Sequence, residues 1–161
     1  MRRAVLMFLV VSIIWLIVAG VALAVTERFA ARLTGAQEVP PVTTTAEGTA
    51  RFARVSDTRM TYTLTASNID NVSGAHIHLA PRGMDGPIVV DLRVPASCTV
   101  EGTSINCRGA FTSARLQGPL EGRSLNALVR AMRNGRTYVN VHTTDFPDGE
   151  IRGQIRALPT S

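Results

Sequence analysis

No lysine occurs anywhere in this 161-residue chain. Its 17 basic residues are all arginines, set against 12 acids for a formal net charge of +5 at pH 7. The arginines are scattered, so there is no basic stripe of the kind that follows a phosphate backbone, and nucleic acid is excluded as a partner. Cysteine is almost as scarce. Cys98 and Cys107, in "CTVEGTSINC", lack the tighter Cys-x-x-Cys spacing of a metal or redox pair. Gly-x-Ser-x-Gly is missing, and Ser73 falls in "NVSG", which reads as a loop, so a nucleophilic triad is not expected. The turn-rich "RGMDGP" around Asp85 lacks the spaced acids of a calcium loop, and "TDFPDGE" is ordinary turn sequence. There is no internal repeat and no low-complexity linker.

The one long apolar run is "AVLMFLVVSIIWLIVAGVALA", uncharged from Ala4 to Ala24, preceded by Arg2 and Arg3 and closed by the small-x-small pattern Ala22-Leu23-Ala24. Residues 1–24 therefore read as a signal peptide or as an uncleaved N-terminal membrane anchor, since the run is about as long as a bilayer span. Both readings put the rest of the chain outside the cytoplasmic membrane, because the basic flank stays inside. The membrane is then touched only through this segment. Without it, 15 arginines face 12 acids, a net of +3. In an exported chain Cys98 and Cys107 are expected to form one structural disulfide, contributing somewhat under about 3 kcal/mol by loop entropy.

From Phe29 onward, short alternating runs separated by turn residues predict an all-β fold. Strands are expected at "FAARLTG", "GTARFARV", "RMTYTLTAS", "GAHIHLA", "PIVVDLRV", the hairpin "CTVEGTSINCRGAF", "TYVNVHT" and "EIRGQIRAL". Pro40 and Pro41 forbid a central strand in "AQEVPPVTTT" and suggest an ordered edge segment. "PIVVDL" is apolar on both faces and is expected to lie centrally. One segment has helical period: Leu125, Leu128, Val129 and Met132 fall at i, i+3, i+4 and i+7, with Ser124 as N-cap and Gly135 as the stop. The expected organisation is a domain over 25–158 and a loose tail over 159–161. Its architecture is an antiparallel, Greek-key-like β-sandwich with one short helix, preceded by the signal or anchor helix.

Three strings occur in order: "LTGAQEVPPV", then "AHIH" followed by "GPIVVDL", then "YVNVHTTDFPDGEIRGQI", with the helical "GPLEGRSLNALVRAMRNG" before the last. Together they resemble the CHRD domain, the module named after chordin and found in many exported bacterial and archaeal proteins. The resemblance spans Leu33 to Ile155 and implies an extracellular β-sandwich of about this length. It implies no settled chemistry. The cysteine-rich modules that capture bone morphogenetic proteins in chordin are missing here, so that activity is not carried over.

Chemistry, if any, lies in the three histidines. In an extended "HIH", His76 and His78 share a face with Ile77 on the other, about 6 to 7 Å apart at Cα. In "TYVNVHT", Tyr138, Asn140 and His142 share the face opposite Val139 and Val141. If the two polar faces meet, His76, His78 and His142 form a three-imidazole set suited to copper or zinc. The pattern is loosely similar to the copper side of copper-zinc superoxide dismutase, but no histidine remains for the bridging position or for the zinc ligands. Cupins, which also use His-x-His, add a glutamate that "HIHLAPRGM" lacks. The metal-free alternative has each imidazole donating to a backbone carbonyl or to Glu150, with Glu150, Arg152 and Asn140 as supporting neighbours. The sequence thus reads as a non-enzymatic module that binds or scaffolds an extracytoplasmic protein or other ligand. Copper or zinc binding is the alternative.

Overall fold

The computed structural model describes residues 27–92 and 98–159. The expected leader and the last two residues of the expected tail lie outside that range. The described residues form ten strands: β1 Arg28–Thr34, β2 Glu47–Arg54, β3 Met60–Ser67, β4 Val72–His78, β5 Ile88–Asp91, β6 Cys98–Glu101, β7 Ser104–Phe111, β8 Tyr138–Thr143, β9 Ile151–Gln154 and β10 Arg156–Ala157. One α-helix, α1 Leu125–Arg133, precedes β8. No helix among the described residues is long and apolar enough to cross a membrane.

Every strand pairing is antiparallel, and the sheet runs β5-β4-β8-β9-β1-β2-β3-β7-β6, with β10 attached to β1. The long steps from β3 to β4 and from β7 to β8 give the Greek-key character expected from the sequence. The sheet curls so that its far parts face each other: the Tyr62 hydroxyl on β3 donates to the Leu92 carbonyl just beyond β5, at 2.5 Å. Alternation determines which side chains fill the space between them. Met60, Tyr62, Leu64 and Ala66 of β3 point inward, as do Ala75 and Ile77 of β4 and Val139 and Val141 of β8. Each fully buried aliphatic of this kind stabilises the fold by about 1.5–3 kcal/mol. β1 meets β9 through one residue pair, Thr34 with Arg152, and meets β10 at Phe29 and Ala30, so the sheet turns a corner at this seam.

The helix follows its periodicity. Leu125, Leu128, Val129 and Met132 are buried, and Gly135 ends the helix at a φ of 62°. Ser124 occupies the N-cap position with extended backbone, but its side chain makes no capping hydrogen bond. Cys98 and Cys107 stand directly opposite each other in the β6–β7 hairpin and form the disulfide.

One local expectation is corrected. β5 is the end of the strand path, not a central strand; Val89 and Val90 are both buried because the 113–120 segment packs over it, with Gln117 N–H donating to the Val89 carbonyl at 3.0 Å. A strand flanked by the core and by covering chain reads as apolar on both sides without being central. The proline segment is ordered and forms no strand, as its prolines led one to expect: after a 3-10 turn at Gly35–Gln37, Val42 N–H closes onto the Gly35 carbonyl at 3.0 Å.

Candidate functional site

β4 and β8 are neighbours, and their register sets Gly74 opposite His142, His76 opposite Asn140, and His78 opposite Tyr138. Ile77 pairs with Val139 and both are fully buried, so the polar residues of the two strands rise together on the outer face. His76 and His142 lie 4.9 Å apart at their ring centroids, and His78 is 5.9 Å from each. One nitrogen from each ring falls within 4.8 Å of the others, and among the described residues this is the group of His, Cys, Asp and Glu placed to share an ion.

The hydrogen bonds fix which nitrogens are available. His78 Nδ1 lies 2.8 Å from the Gly86 carbonyl oxygen, and His142 Nδ1 lies 2.9 Å from that of Pro147. A carbonyl only accepts, so both Nδ1 atoms carry a proton, and in each neutral ring Nε2 is then the lone-pair nitrogen. Those two Nε2 atoms, with Nδ1 of His76, are buried without a hydrogen-bond partner among the described residues. Burial pushes the His78 imidazole down to about 4, helped by the positive charge His142, His76 and Arg152 place nearby and opposed by the Gly86 bond. Burial, then the nearby His142, also lowers His76, while Asp91 raises it. His76 and His78 are therefore held toward the neutral form that a metal ion requires.

Backbone geometry seats the rings. A Cβ on Gly74 would stand 2.9 Å from Cε1 of His76, so the ring lies over the glycine and leans toward His142. Tyr138 stacks on His78 with centroids 4.7 Å apart and planes 13° from parallel, and the Arg152 guanidinium carbon lies 3.4 Å from the Tyr138 centroid. Arg152 itself is buried. It donates to Asp85 at 2.7 Å and to the Met84 carbonyl at 2.5 Å, while Gly86 N–H donates to the Tyr138 hydroxyl at 3.3 Å. These bonds hold the 79–87 loop beside the histidines.

The other acids near the site are engaged elsewhere. Glu150 accepts from Thr44 Oγ1 at 2.7 Å and Thr143 Oγ1 at 3.0 Å. Asn140 donates to Glu38 at 3.3 Å and to the Asp148 carbonyl at 3.4 Å. Glu38 is buried and its carboxyl is pushed up to about 7 by that burial, against the lowering effect of Arg152. Sequence reasoning brought the three histidines together and named Asn140, Glu150 and Arg152 beside them. It missed Glu38, the Gly74 seat, and the carbonyls of Gly86 and Pro147. The only sequence signal for those carbonyls was the glycine- and proline-rich turns that follow each histidine strand.

An antiparallel, curled β-domain with a sheet-borne cluster of three imidazoles is the class that fold and site define. A family model for the CHRD domain matches residues 29–155, and the chain belongs to that family. A comparison with curated proteins finds no match.

Proposed function

We propose that this CHRD-domain chain works outside the cytoplasm as a binding module, and that its ligand at the three-histidine cluster is a copper or zinc ion. The observation that carries the reading is the set of three buried, lone-pair-capable nitrogens without partners, two of them with their tautomer fixed by a backbone carbonyl. A buried polar atom left unpaired costs about 1–3 kcal/mol, and one ion shared by three rings that each bring a nitrogen within 4.8 Å of the others relieves that cost. A histidine ligand that donates its other nitrogen to a carbonyl is the usual outer support of a metal site. Ligand nitrogens at about 2.0–2.1 Å from one ion stand about 3.3 Å apart, so binding draws the rings inward by about 1 Å. An all-nitrogen donor set favours copper over zinc by intrinsic affinity. The disulfide and the family are both consistent with an extracytoplasmic location.

Titration of the purified protein with Cu(II) and Zn(II), repeated with His78→Ala, tests the reading. One tight equivalent in the parent and none in the variant supports it; equal weak binding by both removes it.

A second reading has one observation in its favour. The same Nδ1 bonds tie the 79–87 loop and the 144–149 turn to the sheet, so the histidines also serve as polar fasteners in a non-enzymatic scaffold. In that case His142→Ala lowers thermal stability to the same extent with and without a chelator.

A further inference from the structure

We infer that an ion held by His76, His78 and His142 keeps one coordination position open, and that a small anion is the ligand this position takes. The inference rests on the metal reading above and adds a second ligand to it. Two observations carry it: the direction from which the donors come, and the charge they leave uncompensated.

All three rings rise from one face of two adjacent strands, two from alternate positions of β4 and one from β8. Donors that share a face approach an ion from one side. His78 is buried, but His76 and His142 are only half-buried, so solvent reaches the rim of the cluster. A site with three protein ligands and an accessible fourth position is the arrangement of exchange-competent centres, whereas structural sites close the fourth position with protein.

The charge balance selects what enters. Both fixed imidazoles donate to carbonyls rather than carboxylates, and a carbonyl brings no formal negative charge to the site. The carboxylates on the surrounding elements are committed: Glu150 to Thr44 and Thr143, Asp85 to Arg152, Glu38 to the Asn140 amide. Asp91, opposite His76 on β5, does not belong to the group of ligand atoms within 4.8 Å, but its charge acts on His76 and offsets part of an ion's charge. A divalent ion on three neutral nitrogens gains no negative charge from its ligands and therefore stays net positive at the open position. The buried Arg152 adds positive potential at His78. A monoanion is favoured there over a neutral molecule of the same size, because it removes charge that the protein leaves exposed to its own low-dielectric walls.

Azide is the probe. The protein is loaded with one equivalent of Cu(II), and azide is added while absorbance and electron paramagnetic resonance are followed. The expected result is a new azide-to-copper charge-transfer band that saturates with a single dissociation constant, together with shifted copper hyperfine splitting. Copper bound at one equivalent whose spectra do not respond to azide overturns the open position and leaves the metal reading standing. If that happens, Asp91→Asn restoring the response names the carboxylate that fills the fourth place. Failure to bind one equivalent of Cu(II) removes the metal reading, and this inference with it.

Discussion

His78 and Gly86 are joined by a 2.8 Å hydrogen bond from ring nitrogen to backbone carbonyl, and this bond decides that the ring's other nitrogen points into the cluster as a lone pair. No side-chain substitution at position 86 removes a carbonyl, so the ligand itself is the point of attack. His78→Ala is expected to lower Cu(II) affinity by at least a hundredfold. His78→Gln, which keeps polarity without an imidazole, recovers little of it; isothermal titration on both variants checks this.

Gly74 lies under the His76 ring, where an added Cβ would stand 2.9 Å from it. Gly74→Ala displaces a side chain, which is cheaper than moving a strand. Copper affinity should fall about tenfold while stability changes by no more than about 1 kcal/mol. A variant that unfolds outright would show that the backbone, and not the ring, absorbs the crowding.

Glu38 and His78 pull stability in opposite directions with pH. The Glu38 carboxyl is raised from 4.5 to about 7 in the fold, so the folded state binds more protons between those values and stability drops as pH rises through that window. His78 is lowered from 6.5 to about 4, so the unfolded chain takes up the proton first and stability drops as pH falls from 6.5 to 4. In chelator-treated protein, Glu38→Gln should add about 1–3 kcal/mol at pH 8 and nothing below pH 4.5. It should also steepen the acid loss that the histidines cause. Denaturant melts across pH 4 to 8 measure both slopes.

Arg152 is buried, paired with Asp85 and laid against Tyr138. Asp85→Asn leaves the guanidinium its Met84 carbonyl and its aromatic face, and should cost about 1 kcal/mol. Arg152→Leu removes the whole clamp on the 79–87 loop and should cost about 2–4 kcal/mol. Hydrogen exchange at residues 79–87 should quicken in both, more in the second.

The disulfide closes only nine residues of separation in the β6–β7 hairpin, at the opposite end of the strand path from β4. Reduction is therefore expected to cost about 2–3 kcal/mol by loop entropy and to leave the copper stoichiometry untouched. A lost equivalent of copper on reduction would mean that the two ends of the sheet are coupled.

Much of this was legible because it depends on period. Alternation in "AHIH" and "YVNVHT" is enough to set Ile77 and Val139 inward and the imidazoles outward, and the helical spacing of Leu125, Leu128, Val129 and Met132 locates the helix. That the two histidine strands would be neighbours was a conjecture from the strings, since the link between β4 and β8 spans distant sequence. Glu38 was invisible for a related reason: it is buried by a loop, where no periodicity marks an inward residue. The edge place of β5 was misread because covering chain imitates a second sheet neighbour.

Thr34 and Arg152 form the single backbone pair between β1 and β9, and the Arg152 side chain also braces the wall of the histidine cluster. The corner where β1 meets β9 and the support of the histidine face thus share one residue. A substitution at Arg152 is therefore expected to disturb the corner of the sheet and the wall of the cluster together.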